Sequence, residues 1–320
     1  MTAPLEDTPV TYEDLNDLNA EFDEVDTELL RQEVQLKNAL YEKRQKVVSQ
    51  IPNFWPLVLE QAPPDIDEYI QPSDSALLLS SLTALSVSHF EVENGGKGDP
   101  RSLSIKFEFN ENEYFEDRVL EKKFWYRRSS DGWTGLVSEP VDIKWKKGKD
   151  LTSGLLGMVK KVWEAEQSKA KEGNGASKKA KILTGDQKAL KKNMENTGLG
   201  GLSFFTWFGY IGKYITAEES KLANEKARKL REARQAGKAE ENGEEEDDDD
   251  EDDDDDELEL FPEGENLAVA IAEDLWPGAI KYFIQAQEQD GISDVDFESD
   301  EEEMEEFDDD EEPPSKKRKA

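Results

Sequence analysis

Apolar residues recur at helical spacing near the start of the chain. Residues 12–50 contain no glycine and no proline, and large apolar side chains follow one another every three or four residues up to residue 29. This spacing is the a/d pattern of a coiled coil. Gln32 interrupts the pattern, which then resumes with a shift of one residue. The apolar row on this predicted helix consists of Leu15, Leu18, Phe22, Val25, Leu29, Leu36 and Leu40.

The length of this predicted helix indicates how its apolar row is covered. A helix over residues 12–50 would span roughly 58 Å, because each residue adds ~1.5 Å. One small domain cannot cover a narrow row of that length, so the pattern favours pairing with a second copy of the chain. The strict heptad lasts only about two repeats, which leaves open the alternative of a helix packed on its own domain. Pro52 is expected to end the helix.

Downstream of residue 51 the pattern changes to the alternation typical of strands. A short helix is predicted at 73–82, where a serine precedes an apolar run. Alternating segments separated by glycine-containing turns predict an antiparallel sheet with helices on one face. The predicted strands are 85–93, 102–110, 119–128 and 141–147, with hairpin turns at 94–99 and 129–135.

The second half of the chain alternates between charged and apolar segments. Residues 153–200 lose periodicity and gain glycine and lysine, which predicts a basic surface loop. The aromatic segment 202–212 and the apolar segment 267–284 are expected to return to the core. Between them, residues 213–260 form an insertion that begins with a basic helix candidate at 221–238. The fold class is therefore α+β, with one domain over residues 51–287.

Charge is concentrated at the end of the chain. The net charge is −36, and residues 240–320 contain 37 Asp and Glu against 5 Lys and Arg. Fourteen consecutive carboxylates occupy 244–257, and a second acidic stretch lies at 293–312. Such like-charge blocks are typical of disordered interaction segments, so we expect disorder at 1–11, in the acidic loop and in the tail 288–320. The representative acidic positions are Glu244, Asp247, Asp250, Glu251, Asp254 and Glu257 in the run, and Glu301, Glu305, Asp308 and Asp310 in the tail.

Candidate chemistry is sparse, and the composition excludes several classes of site. The chain contains no cysteine and one histidine, His89, which excludes thiolate sites and any metal site with two histidines. His89 is expected to be packed in its strand. No phosphate-binding loop or nucleophile elbow is found. No apolar stretch reaches the ~20 residues of a membrane span, and the acidic N-terminus lacks a secretory signal. We therefore predict no catalysis, no cofactor and no membrane partner.

The acidic segments and the last residues indicate the compartment and the partner. A dense set of carboxylates resembles the DNA backbone, which carries about one charge per 1.7 Å, so strongly basic proteins are its natural partners. Two prolines precede a basic cluster that resembles a nuclear localisation signal; the alternative is a charged terminus of no consequence. In a nucleus, the abundant basic proteins are histones. The basic cluster is Lys316, Lys317, Arg318 and Lys319.

The order of several aromatic motifs supports this interpretation independently. The segments IPNFWPLVL, FEFNENEYFEDRVLEKKF, VDIKWKKGKDLT, SFFTWF and EDLWPGAIKYF follow the long helix in that order. Over residues 12–211 and 267–287 the chain resembles the nucleosome assembly protein family, specifically its SET (template-activating factor) branch. The resemblance implies a headphone-shaped homodimer in which long helices carry an α+β "earmuff" domain at each end. It also implies ATP-independent histone binding and nucleosome assembly in the nucleus, with shuttling to the cytoplasm left open.

The resemblance also suggests site residues and an alternative function. The family's dimer interface corresponds to the apolar row, and its earmuff surface corresponds to Asn112, Tyr114, Phe115 and the segment 144–150. Double-stranded DNA and a histone acetyltransferase are further candidate partners. The alternative function is a regulatory subunit or inhibitor of a chromatin-modifying enzyme, such as a histone acetyltransferase, or of a phosphatase. The candidate histone or DNA contacts on the earmuff are Lys144, Lys146, Lys147, Lys149 and Asp150.

The chain departs from the SET pattern in its long insertion and in the basic cluster behind the tail. Residues 221–238 carry seven cations and two acids immediately before the acidic run. Three interpretations of this basic helix stay open. It could compete with histones for the acidic run, contact DNA, or be a solvated helix without a regulatory role.

Overall fold

The computed structural model describes residues 10–171, 183–197, 202–235 and 258–289. Within these ranges the fold is α+β: a long N-terminal helix leads into a domain with a four-stranded antiparallel sheet and covering helices. The predicted fold class is confirmed. The acidic run, the acidic tail and the terminal basic cluster lie outside the described residues, and the predictions about them stay predictions.

The long helix, α1, extends over Tyr12–Val48. Thr11 and Asp14 form a capping box at its start, with the Asp14 amide donating to Thr11 Oγ1 at 3.1 Å and the Thr11 amide donating to Asp14 Oδ2 at 2.8 Å. These bonds satisfy backbone donors that the first helical turn leaves open. The helix ends just before the predicted stop, and the buried side chain of Val48 joins it to the core of the domain.

Three short helices connect α1 to the sheet: α2 (Phe54–Glu60), α3 (Pro64–Asp67) and α4 (Pro72–Ser81). The strands β1 (Leu82–Ser88), β2 (Leu103–Phe109), β3 (Val119–Arg128) and β4 (Thr134–Ser138) then pair in sequence order, each antiparallel to the next. Alternation fixes the register, because the residues that face the core must share one side of the sheet. Thus Leu85 pairs with Phe107, and Phe107 pairs with Leu120.

The fourth strand differs from the prediction. Residues 141–147 were expected to form it, but they form only an isolated bridge between Trp145 and Phe115. The strand lies instead at Thr134–Ser138, partly within the predicted turn. Pro140 has no amide hydrogen to donate to a sheet ladder, and the Val141 amide donates to the carbonyl of Phe208 at 2.9 Å. The alternation in 141–147 therefore reflects packing outside the sheet.

The predicted basic loop at 153–200 is also corrected in part, because two helices occupy most of its described residues. Helix α5 covers Leu155–Lys171 and α6 covers Gly185–Thr197. Leu155, Val159 and Val162 of α5 pack with Leu190 of α6 and with Leu260 in a small separate apolar cluster. The lysines conceal this pattern, because they are interspersed among the apolar residues of both helices.

The aromatic segment and the C-terminal helices return to the core as predicted. A 3-10 helix at Phe204–Gly209 buries its three phenylalanines and Trp207. The chain re-enters the fold at residue 258 and forms α8 (Gly264–Ala270), a π-helical turn (Ile271–Leu275) and α9 (276–289). Trp207 Nε1 donates to the Gly264 carbonyl at 2.9 Å. A β-carbon at Gly264 would lie 2.3 Å from the Tyr210 ring, so this close approach requires glycine.

Buried polar side chains join these layers. The Asp74 carboxylate on α4 accepts hydrogen bonds from Ser203 Oγ at 2.6 Å and from the Phe204 amide at 2.7 Å. Burial raises the pKa of Asp74, opposing these bonds. His89 lies 2.6 Å from the Pro100 carbonyl through Nδ1, and burial lowers its pKa. The packed histidine predicted from the sequence is therefore what the structure contains.

The basic helix predicted at 221–238 is α7 (Ala217–Gln235), and it is not isolated. Its first half lies against β3, and its second half lies against the N-terminal half of α1. Any relation between α7 and the acidic run lies outside the described residues.

Candidate functional site

Two surface segments of the domain, residues 110–118 and 144–150, are paired along their backbones. The Glu116 amide donates to the Lys144 carbonyl at 3.0 Å, and the Lys146 amide donates to the Tyr114 carbonyl at 2.7 Å. Asn112 shapes the start of the first segment, because its Oδ1 accepts from the amides of Tyr114 and Phe115. The structure thus brings together the two segments that the sequence assigned to the earmuff surface.

Aromatic packing anchors this pair of segments on the core. Phe115 is buried and contacts Phe109, Trp145 and Phe205 edge to face, with ring centroids 5.1 to 5.9 Å apart. Such edge-to-face contacts add stability beyond the burial of apolar area. The aromatic residues of this region are therefore structural, and the polar residues between them face outward.

The five predicted contacts on this surface divide into two groups. Lys144, Lys147 and Lys149 are exposed. Lys146 instead donates from Nζ to the Asn112 carbonyl at 2.6 Å, which fixes the turn of the neighbouring segment. Asp150 is held by local bonds as well.

Asp150 closes the turn that leads into α5. Its Oδ1 accepts from the amide and the hydroxyl of Thr152 at 2.8 and 2.6 Å, and its Oδ2 accepts from the Gly154 amide at 3.0 Å. A carboxylate with these partners stabilises the start of the helix. We therefore assign Asp150 a structural role in this surface.

A shallow cavity of about 280 Å³ lies beside the paired segments. Glu111, Glu116 and Asp117 supply its carboxylates, whereas Arg118 and Lys146 supply its cations. Asp117 is engaged by the Lys144 amide at 2.7 Å, but Glu111 and Glu116 are exposed. The sequence analysis named the lysines of this surface and Asp150 as candidate contacts; Glu111 and Glu116 lie in the motif FEFNENEYFEDRVLEKKF that carried the resemblance.

The apolar row on α1 forms a second exposed feature. Each of its seven members leaves between 46% and 77% of its surface exposed in the single chain. A row of large apolar side chains along one helix is a surface on which another protein binds. This exposure agrees with the predicted dimer interface.

Metal ligands and membrane-spanning helices are the other features that could define a site. In the four described ranges, no group of three or more His, Asp or Glu side chains is arranged to hold a metal ion. Among the helices of these ranges, none is long and apolar enough to span a membrane.

The open surface, its carboxylate-lined cavity and the apolar row together define a protein suited to binding macromolecules rather than enclosing a small molecule. The sequence profile described as nucleosome assembly protein (NAP) matches residues 9–286. The chain therefore belongs to the nucleosome assembly protein family. Members of this family are typically nuclear.

Individual relatives agree with this assignment. A putative nucleosome assembly protein of Schizosaccharomyces pombe is 34% identical over 153 residues, which cover 44% of this chain and 59% of the relative. Protein SET of Drosophila melanogaster is 34% identical over 148 residues, which cover 44% of this chain and 51% of the relative. The matched regions thus span between half and three-fifths of these curated relatives.

A solved structure shares the fold. The crystal structure of Vps75 superimposes with a TM-score of 0.51 and covers 86% of this chain and 98% of Vps75. The two sequences are 21% identical, so the similarity concerns the fold alone.

Proposed function

We propose that this chain is a histone chaperone that binds core histones as a homodimer and promotes nucleosome assembly and disassembly without ATP. The observation that carries the proposal is the family match over residues 9–286. The net charge of −36 supports a strongly basic partner. Double-stranded DNA and a histone acetyltransferase stay candidate partners of the same surfaces.

The carboxylate-lined cavity is the proposed contact for histone side chains on the folded domain. Glu111 and Glu116 are exposed, and the neighbouring Asp117 is held in place by a backbone bond. Lysine and arginine side chains of a histone could reach these carboxylates and form charge-assisted hydrogen bonds. The exposed Lys144, Lys147 and Lys149 beside them would contact acidic histone residues or DNA phosphates.

The first prediction concerns this cavity. Glu111→Gln combined with Glu116→Gln should weaken binding of purified core histones by roughly three- to tenfold, because partly exposed ion pairs contribute ~0.2–1 kcal/mol each. The measurement is a titration of the fluorescently labelled core histone tetramer, and separately of the core histone dimer, with no enzyme present. Binding by the unmodified protein in this assay also separates chaperoning from the alternative of a regulatory subunit that needs an enzyme.

A matched control keeps the change in net charge identical. Glu60 and Glu288 are exposed and lie away from the cavity, near the contact between Gln61 and Gln289. Glu60→Gln combined with Glu288→Gln should leave the affinity close to that of the unmodified protein. Equal losses in both double variants would show that net charge alone matters, and the cavity would be rejected as a contact.

The second prediction concerns the acidic tail. Truncation after residue 289 removes fifteen Asp and Glu and four Lys and Arg. Histone affinity should fall and its dependence on salt should flatten, because charges separated by more than ~8 Å are screened at physiological ionic strength. We expect the folded domain to retain measurable affinity across a salt series. Complete loss of binding at low salt would contradict a contact on the domain.

The truncation also removes the proposed nuclear localisation signal. A separate full-length variant with Lys316, Lys317, Arg318 and Lys319 changed to alanine isolates that role from the role of the acidic tail. Nuclear accumulation of the unmodified protein, with or without shuttling, should depend on these four residues.

A further inference from the structure

The second half of α7 lies on one acidic face of α1. Arg231 forms an ion pair with Glu24, and Arg234 Nη1 lies 3.5 Å from Asp17 Oδ1. Gln235 Nε2 donates to Glu21 Oε1 at 3.1 Å. Positions 17, 21 and 24 share one side of the helix because they are spaced by four and three residues. We call Asp17, Glu21 and Glu24 the α1 acidic face.

The two halves of α7 are held in different ways. At the beginning of the helix, the buried Ser220 accepts a bond from the Arg128 amide at 2.9 Å, and Asn224 accepts from Arg128 Nε at 3.1 Å. These bonds fix the first half to β3. The contacts of the second half with the α1 acidic face are the two ion pairs and the amide bond. We call residues 228–235 the α7 clamp.

Electrostatic attraction dominates the contact between the α7 clamp and α1. The pKa of Arg231 is raised, chiefly by its bond with Glu24, and the charges of Asp17 and Glu21 add to the effect. The carboxylate of Glu24 is largely exposed, so this attraction is screened by salt. The pair of Arg234 with Asp17 is more covered, with 29% and 20% of the side chains exposed. The pair of Arg231 with Glu24 is therefore the part of the contact that another cationic ligand exchanges with first.

We propose that the α7 clamp is an autoinhibitory segment, which occupies the α1 acidic face and competes there with a basic segment of a histone. The proposal rests on the proposed histone-binding function. Charge complementarity identifies the competing ligand, because three carboxylates at this spacing already bind two arginines and one side-chain amide of the same chain. The clamp is intramolecular, so it competes at high effective concentration. A histone that displaces it gains the α1 acidic face in addition to the domain surface.

Releasing the clamp should increase histone affinity. Arg231→Gln combined with Arg234→Gln removes both ion pairs, and we expect about fivefold tighter binding of purified core histones at low salt. The matched control is Lys221→Gln with Lys226→Gln, two exposed positions on the same helix that lie outside the clamp and change the net charge equally. Tighter binding by the first variant than by the control supports the clamp, and equal binding by the two variants overturns it.

Locking the clamp should have the opposite effect. The chain contains no cysteine, so Glu21→Cys with Gln235→Cys provides a unique pair of thiols for a cleavable bis-maleimide. Denaturing electrophoresis identifies the intramolecular product by its single-chain mass. We expect the cross-linked protein to bind histones about fivefold more weakly than the same sample after cleavage of the linker.

Unchanged affinity on cleavage would overturn the clamp while leaving the proposed function intact. Absence of histone binding by every protein, including the unmodified chain, would overturn the proposed function and with it the ligand assigned to the α1 acidic face.

Discussion

Leu18→Glu combined with Val25→Glu should convert the protein from a dimer to a monomer at micromolar concentration. Leu18 and Val25 are 51% and 57% exposed in the single chain and belong to the apolar row of α1. In a dimer, each substituted position would lose ~1.5–3 kcal/mol of stabilisation from apolar burial. Each copy of the chain would also bring two unpaired carboxylates into the interface. Light scattering should report a mass near 36.3 kDa instead of twice that value.

The control for this prediction uses apolar residues that are equally exposed but lie outside the row. Val119 at the start of β3 and Ile280 on α9 are 47% and 50% exposed. Val119→Glu with Ile280→Glu should leave the dimer mass unchanged. If the α1 variant keeps the dimer mass while its helix content is intact, the apolar row is not the interface.

The elements that the sequence predicted well are those in which local pattern and final packing agree. Helix α1 is specified by thirty-seven residues without a breaker, by its capping box and by the proline that follows it. The strand β2 is specified by strict alternation, with Leu103, Ile105, Phe107 and Phe109 on one face. In each case the apolar side chains share one face of the element, so the periodicity of the sequence is also the periodicity of the structure.

The predictions of secondary structure were wrong for segments whose sequence contains two competing signals. Residues 141–147 alternate, but Pro140 and the bond from Val141 to the Phe208 carbonyl keep them outside the sheet. Helices α5 and α6 were hidden because seven lysines are interspersed among their apolar residues. Single-chain periodicity cannot show which distant backbone a segment will contact, and the first error has this cause.

The candidate site was predictable in location but not in the roles of its residues. The resemblance to the family assigned the two segments to one surface, and the structure pairs them along their backbones. Spacing could not show that Lys146 and Asp150 are engaged by neighbouring backbone groups, or that Glu111 and Glu116 line a cavity. The position of α7 on α1 was also unpredictable, because ion pairs between residues so distant in the sequence leave no local pattern.

The face of β3 on which Lys122 lies follows from the sequence pattern, but its hydrogen-bond partners are visible only in the structure. Alternation along β3 places it on the core face with Leu120 and Phe124, and it is fully buried. Its Nζ donates to the carbonyls of Glu139, Phe208 and Tyr210 at 3.1, 3.1 and 2.9 Å. Lys122 therefore ties the sheet to the aromatic segment 202–212.

Near Lys122 the chain re-enters the domain after the insertion. The carboxylate of Glu259 accepts bonds from the amides of Ile211, Gly212 and Phe261. Burial raises the pKa of Glu259, and Lys122 opposes that shift. The end of the insertion and the aromatic segment are thus fixed by two ionisable groups, the buried Lys122 and the partly buried Glu259.

Lys122→Met should lower the free energy of unfolding, and the loss should depend on pH. Burial lowers the pKa of Lys122 to about 7, below its ordinary value of 10.5. Between these values the unfolded chain binds the proton and the folded chain releases it, so the stability of the unmodified protein rises with pH. From pH 7 to pH 9 this contribution amounts to about 2 kcal/mol, and it is lost as the pH falls through 7. The methionine variant shows no such rise of stability with pH.

Urea unfolding followed by tryptophan fluorescence at one fixed protein concentration measures this difference, since a dimer's stability depends on concentration. We expect the Met variant to be less stable than the unmodified protein by about 2 kcal/mol at pH 9, because it removes a donor that, even as a neutral amine, can bond two of the three carbonyls. The difference in unfolding free energy between the two proteins should narrow towards pH 6, because the unmodified protein must then bury an ammonium group. Lys123→Met, on the exposed face of the same strand, is the matched control and should show no such pH dependence. A gap of constant size from pH 6 to pH 9 would mean that Lys122 stays charged in the folded protein and acts through its hydrogen bonds alone.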